Sequence, residues 1–158
     1  MSELAFLSPR LCAPEVTLVS PLARALREPV RDVSSLGKFE LRGAVLGAQP
    51  GPGEELIPIS STRALLVTGG DPPRLPQPGL RIYDLTGGLA AFEVEGEQLM
   101  RRLTDLDLDL LPAAGPVARG VPALVERRGS DTFRIFVQQD LGHYVVEVVL
   151  DIAAGLGR

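Results

Sequence analysis

Hydrophobic and polar positions follow different rules in the two halves of this chain. From residue 80 onward the pattern is regular. Arg81 to Leu85 and Leu89 to Glu95 read as strands with a kink at Gly87-Gly88. After Gly96, the residues Leu99, Met100 and Leu103 recur at helical spacing and predict a short helix to about Thr104. Val121 to Arg127 and Thr132 to Val137 alternate on either side of Arg128-Gly129-Ser130-Asp131, as the arms of a hairpin do. The stretch Asp140 to Ala153 is rich in valine, which favours strands. Its apolar set Leu141, Tyr144, Val145, Val148, Val149 and Ile152 nevertheless keeps a helical period, with Asp140 as N-cap. Strand, helix, strand, strand, helix predicts an α+β fold: a mainly antiparallel sheet with two helices packed on one face.

The first half is irregular. Lys38 to Val45, Ile57 to Ile59 and Arg63 to Thr68 read as short strands, and Leu22 to Arg27 as a short helix before Pro29. Ala48-Gln49-Pro50-Gly51-Pro52-Gly53 and the Pro/Gly run from Gly70 to Gly79 break the pattern. Neither piece between them is long enough to build its own core, so they are expected to be loops and residues 1–158 one domain, irregular over 1–79 and regular over 80–158. One echo crosses the halves: Phe39-Glu40-Leu41-Arg42-Gly43 recurs as Phe92-Glu93-Val94-Glu95-Gly96. It reads either as a duplicated unit or as the common habit of strands to end in glycine.

Composition removes several kinds of chemistry. At 158 residues and 45% hydrophobic, the chain can bury one core without staples. A single Cys12 and a single His143 exclude a disulfide framework and a Cys- or His-rich metal site. No bound metal, flavin or nucleotide is expected. The net charge is −4, with 8 basic and 8 acidic side chains in residues 1–79 against 8 and 12 in residues 80–158. That balance offers no basic face for nucleic acid, and 4% aromatics offer no stacking platform. No apolar run is long enough for a membrane span, and Met1 to Arg10 lacks the form of a secretory signal, so a cytoplasmic location is expected.

The remaining constellations are weak. Asp105, Asp107 and Asp109 begin like a calcium loop, but Leu110 stands where the loop needs Gly and Pro116 where it needs a bidentate Glu. Alternation there predicts carboxylates outward and leucines inward. His143 with Ser130 or Asp131 evokes a catalytic triad, yet His143, Glu147 and Asp151 form a polar stripe along one helix. Cys12 has only Arg10 nearby to activate it. Gly69-Gly70, Gly87-Gly88 and Gly51 with Gly53 lack a dinucleotide-binding context, and Lys38 follows no phosphate loop. Val146 and Leu150 lie outside the helical core face, four residues apart, and are candidate interface residues for a partner subunit or a second copy. The alternative is that the first half of the chain folds over them.

The run Arg81-Ile-Tyr-Asp84-Leu-Thr-Gly-Gly-Leu-Ala-Ala-Phe-Glu-Val-Glu-Gly96, then Glu97 to Leu103 and Leu108 to Leu111-Pro112, resembles the opening of the folate-binding domain of glycine-cleavage aminomethyltransferases. The closer resemblance is to the gamma subunit family of heterotetrameric sarcosine oxidase. It rests on Leu36 to Gly43, on Val121-Pro122-Ala-Leu-Val125, on Gly129-Ser-Asp131-Thr-Phe133 and on the apolar terminal helix, and covers about residues 34–153. The transferases carry a hairpin with two acids, one of which faces the folate amine; here Val121 and Pro122 occupy those places. A side chain without an acceptor cannot hold a protonated amine, so the resemblance implies no catalytic or cofactor-binding residue in this chain. It implies a non-catalytic gamma-like subunit, or a free-standing relative, supporting a flavin/folate-dependent amine-oxidising complex, with tetrahydrofolate implied by family resemblance alone. The alternatives are a folate-binding one-carbon protein without transferase activity and an unrelated α+β interaction module.

Overall fold

The computed structural model describes residues 19–70, 73 and 79–157. Cys12 lies outside them. Among the described residues, nine strands form two antiparallel sheets. The larger contains β1 (Arg31–Asp32), β6 (Leu89–Glu95), β9 (Thr132–Gln138), β8 (Val121–Arg127) and β7 (Ala113–Val117), in that spatial order. The smaller contains β3 (Glu55–Ser60), β4 (Arg63–Thr68), β2 (Gly37–Gly43) and β5 (Leu80–Asp84). Helices α1 (Glu97–Leu103) and α2 (Gly142–Leu156) complete the fold.

Strand alternation makes this a three-layer structure. On one face of the larger sheet, Phe92, Val94, Phe133, Ile135 and Val125 pack with Leu99, Met100 and Leu103 of α1 and Val145, Val146 and Val149 of α2. The residues between them, Ala91, Leu124 and Phe136, point the other way and meet Ile57, Leu65 and Val67 of the smaller sheet. The larger sheet is therefore buried on both faces. The fold class is the predicted α+β arrangement, with a second sheet covering the face opposite the helices.

The division expected at residue 79 does not follow the sheets. β1, from the first half, pairs with β6, while β5, from the second half, pairs with β2. Gly87-Gly88 is thus no kink within a strand pair but the crossing from one sheet to the other. β7 was not expected, because Ala-Ala-Gly-Pro-Val has little strand propensity; pairing with β8 along its whole length supplies what the residues lack. The three aspartates do not form a strand. Asp107 accepts a hydrogen bond from the Asp109 amide at 3.0 Å, opening a short 3-10 turn over Leu108–Leu110. Leu108 is buried as expected, but Leu110 is exposed.

Candidate functional site

The face of α2 is rotated from the one the sequence predicts. Asp140 lies in a 3-10 turn ahead of the helix and makes no cap; the helix begins at Gly142. A Cβ at Gly142 would sit 2.9 Å from Cβ of Ala90 and 2.8 Å from Leu22, so the glycine is where the helix backbone comes closest to the sheet. That contact turns Gly142, Val145, Val146 and Val149 inward and leaves Tyr144 exposed. Val146 is therefore corrected from candidate interface to core: it is fully buried within this chain. Leu150 is half-buried and packs on the edge of the same core.

The triad-like residues are not brought together. Asp131 receives the Glu97 amide on its carboxylate at 2.7 Å and the Gly96 amide on its carbonyl at 3.0 Å, capping α1 where Gly96 has no side chain to do so. It lines a hollow with Ala153 and Leu156, at the far end of α2 from His143. His143 instead lines an open cavity of about 680 Å³ with Arg24, Gln138, Gln139 and Asp140. A neighbouring cavity of about 500 Å³ is bordered by Asp32, Ser34, Thr86 and Leu89. Among the described residues, no group of three His, Cys, Asp or Glu side chains is placed to hold a metal ion.

The densest set of ionisable groups lies between the sheets, and the sequence reading passed over it. Glu93 on β6, Arg134 on β9 and Glu126 on β8 share the face that carries Ala91, Phe136 and Leu124. Arg134 donates to Glu93 at 3.0 Å within its own sheet and to Glu55 of the smaller sheet at 2.9 Å. Arg128 reaches the other oxygen of Glu55 at 2.6 Å, and Arg31 pairs with Glu93 at 3.0 Å. Glu126 lies 3.0 Å from Arg134, but its Oε1 makes no aligned hydrogen bond. Burial pushes the Glu126 carboxyl above the usual range; Arg134 and Arg128 pull it down, and Glu55 and Glu93 push it back up. The available signal was a charged residue within each of three largely apolar strands.

Lys38, the chain's only lysine, is also buried here. Its ammonium donates to the carbonyls of Ser34 at 2.6 Å and Leu36 at 2.9 Å, tying down the loop that carries the chain from β1 to β2. The same loop is pinned to β6 by Ser34, whose hydroxyl both donates to the Ala91 carbonyl and accepts from its amide at 3.1 Å. Burial lowers the Lys38 pKa, against the opposing pull of Asp32 and Asp84. Among these ionisable groups Glu55 joins the two sheets, through Arg134 and Arg128.

Val121 and Pro122, where the resemblance places the folate-facing acids, sit on β8 opposite Val117 and Pro116 of β7. Neither the Val121 nor the Pro122 side chain carries an acceptor for an amine. No helix among the described residues is long and apolar enough to cross a membrane. No protein-family model matches the sequence, and no curated protein does. Among solved structures, a chain of the heterotetrameric sarcosine oxidase from Corynebacterium sp. U-96, in complex with pyrrole 2-carboxylate, matches with a TM-score of 0.69 at 17% identity. The match spans 89% of this chain and 97% of that one. The chain therefore has a sarcosine oxidase subunit-like fold.

Proposed function

We propose that this chain is a non-catalytic, gamma-like subunit of a flavin-dependent secondary-amine oxidase of the sarcosine oxidase type, acting in the cytoplasm. The observation that supports this most directly is the extent of the structural match: 97% of a chain from a heterotetrameric enzyme is accounted for by a protein of 158 residues. Such a chain is similar to one whole component of an assembly. The residues agree with a supporting role. Arg134 is engaged by Glu55 across the sheets and by Glu93 within its own, and the corner that would grip a folate amine carries Val121 and Pro122.

The test is co-expression of this chain, tagged, with the products of its neighbouring genes. A stoichiometric complex that oxidises a secondary amine is expected, with no turnover by the chain alone on tetrahydrofolate and an amine donor. Turnover by the isolated chain, or its purification free of every neighbouring product, overturns the reading.

A further inference from the structure

Among the described residues four strands form the sheet edges, and three of them are blunted. β1 is two residues long, β7 contains Pro116, and β3 contains Pro58 together with a register shift before Ser60. β5, Leu-Arg-Ile-Tyr-Asp, has neither proline nor bulge, and among the described residues only β2 pairs with it. Its residues from Arg81 to Asp84 are exposed, Ile82 and Tyr83 among them.

The hydrogen-bonding groups of this edge can be assigned. The Leu85 amide donates to the Lys38 carbonyl at 2.8 Å, which makes that pair a bonded one. Antiparallel ladders alternate, so Glu40–Tyr83 and Arg42–Arg81 are the next bonded pairs. The N–H and C=O groups of Leu80, Ile82 and Asp84 therefore point away from β2. These three positions match their own two-fold image. With the register centred on Ile82, Ile82 faces Ile82 of the other copy and Leu80 faces Asp84, so all three outward positions pair. On the opposite face Arg81 meets Tyr83, whose ring already carries the Arg42 guanidinium of its own chain at 4.9 Å.

We infer that β5 is a self-association edge, through which two copies join their smaller sheets in an antiparallel β5–β5 contact centred on Ile82. The occupant is a second copy because the outward backbone groups and the exposed apolar residue at their centre, Ile82, are matched by this strand's own sequence. The contact is short, so it belongs to the small, readily dissociating class of interfaces. It does not depend on the subunit role proposed above, because the purified full-length chain alone tests it.

The experiment is sedimentation of the full-length chain from about 1 μM to about 1 mM, a span that covers weak association. The wild type is expected to show a monomer–dimer equilibrium. Ile82→Lys and Ile82→Glu each place like charges directly opposite across the two-fold and should weaken it at least about tenfold. An equimolar mixture of the two should restore the dimer, because opposite charges then face each other. A wild type that stays monomeric, a dimer indifferent to either charge, or a mixture that stays apart overturns the inference. Hydrogen exchange on the wild type needs no variant. Protection of the Leu80, Ile82 and Asp84 amides should rise with protein concentration; protection independent of concentration would mean the edge is covered within one chain, and would overturn it.

Discussion

β2 and β6 carry the same order of residues, Phe-Glu-apolar-charged-Gly, and lie in different sheets. In both, the phenylalanine is buried on the side away from the other sheet, and the glutamate is buried on the side toward it. Their surroundings then diverge. Glu40 is one carboxylate between two arginines, Arg42 at 2.8 Å and Arg63, whose side chains are half exposed. Glu93 belongs to a set of three carboxylates, Glu55, Glu93 and Glu126, sharing Arg31, Arg128 and the buried Arg134. Where cations outnumber anions, the acid is held in its charged form. Where they only match, hydrogen bonds run short and Oε1 of Glu126 is left without one. The comparison teaches that a buried acid's behaviour follows the count and placement of its partners, since the strand motif that delivers Glu40 and Glu93 is the same.

The sharpest way to break the difference is to remove the cation on which the crowded set depends. Arg134→Leu strands Glu93 and Glu126 between the sheets without their central partner. Breaking a buried ion pair by deleting one member costs about 3–5 kcal/mol, which is a large part of the total stability of a domain this size. Urea denaturation should show that loss, or the variant should fail to accumulate folded. A loss below about 1 kcal/mol would mean that water reaches the set freely and that the contrast with Glu40 is unfounded.

The glycines ending the two strands give the next comparison. Gly43 has φ +123° and Gly96 has φ +111°, a region that side chains rarely adopt. They differ in space. A Cβ at Gly43 would run into the carbonyl oxygen of Gly79, which is backbone and cannot turn aside, whereas at Gly96 it would meet only Cβ of Leu99 at 3.6 Å, an ordinary contact. Gly96→Ala should cost about 1–3 kcal/mol for its backbone alone. Gly43→Ala should cost about 2 kcal/mol more, as overpacked sites do, and should loosen β2 from β5. Equal denaturation midpoints for the two variants would show that the space around Gly43 is more yielding than its contact implies.

How much of this was legible in the sequence follows the same division. Strands β2, β3, β4, β5, β6, β8 and β9 and helix α1 were readable from the spacing of their apolar residues. β7 was not, since its pairing rather than its residues makes it a strand. The α2 face was misread because a period fixes the face only to within a residue or so; Gly142, a contact point between helix and sheet, decides the rotation, and Val146 goes inward with it. The sarcosine oxidase-like fold was legible from the order of weak motifs over residues 34–153 and is the fold the structural match bears out. The charged layer between the sheets was invisible as a unit because Glu55 and Arg134 are 79 residues apart and meet only when the sheets stack. A charge within a largely apolar strand was the one trace it left.

The smallest expected effect is the one that separates the two acids by sign. The hydrogen bond from Arg42, reinforced by Arg63, holds the Glu40 carboxyl below the usual glutamate range against the cost of burial. A lowered folded value means the folded state binds fewer protons than the unfolded one. Its contribution is present above the usual glutamate pKa and is lost as the pH falls through the folded value. Glu126 is shifted the other way, by burial first. Its contribution is present below the usual glutamate pKa and is lost as the pH rises through its raised folded value. Glu40→Gln should therefore match the wild type in acid, where Glu40 is already neutral, and fall behind by about 1 kcal/mol near neutrality, a modest figure because the arginines are screened by water. Glu126→Gln should also match the wild type in acid, but draw level with it or exceed it by up to about 1 kcal/mol at neutral pH, since a neutral amide avoids the cost of a buried charge. Urea midpoints of both variants and the wild type, followed from about pH 8 down through the carboxylate range to about pH 2, read the two signs directly. If Glu126→Gln loses stability with rising pH as Glu40→Gln does, then Arg134 and Arg128 outweigh burial, and the two carboxylates are held alike.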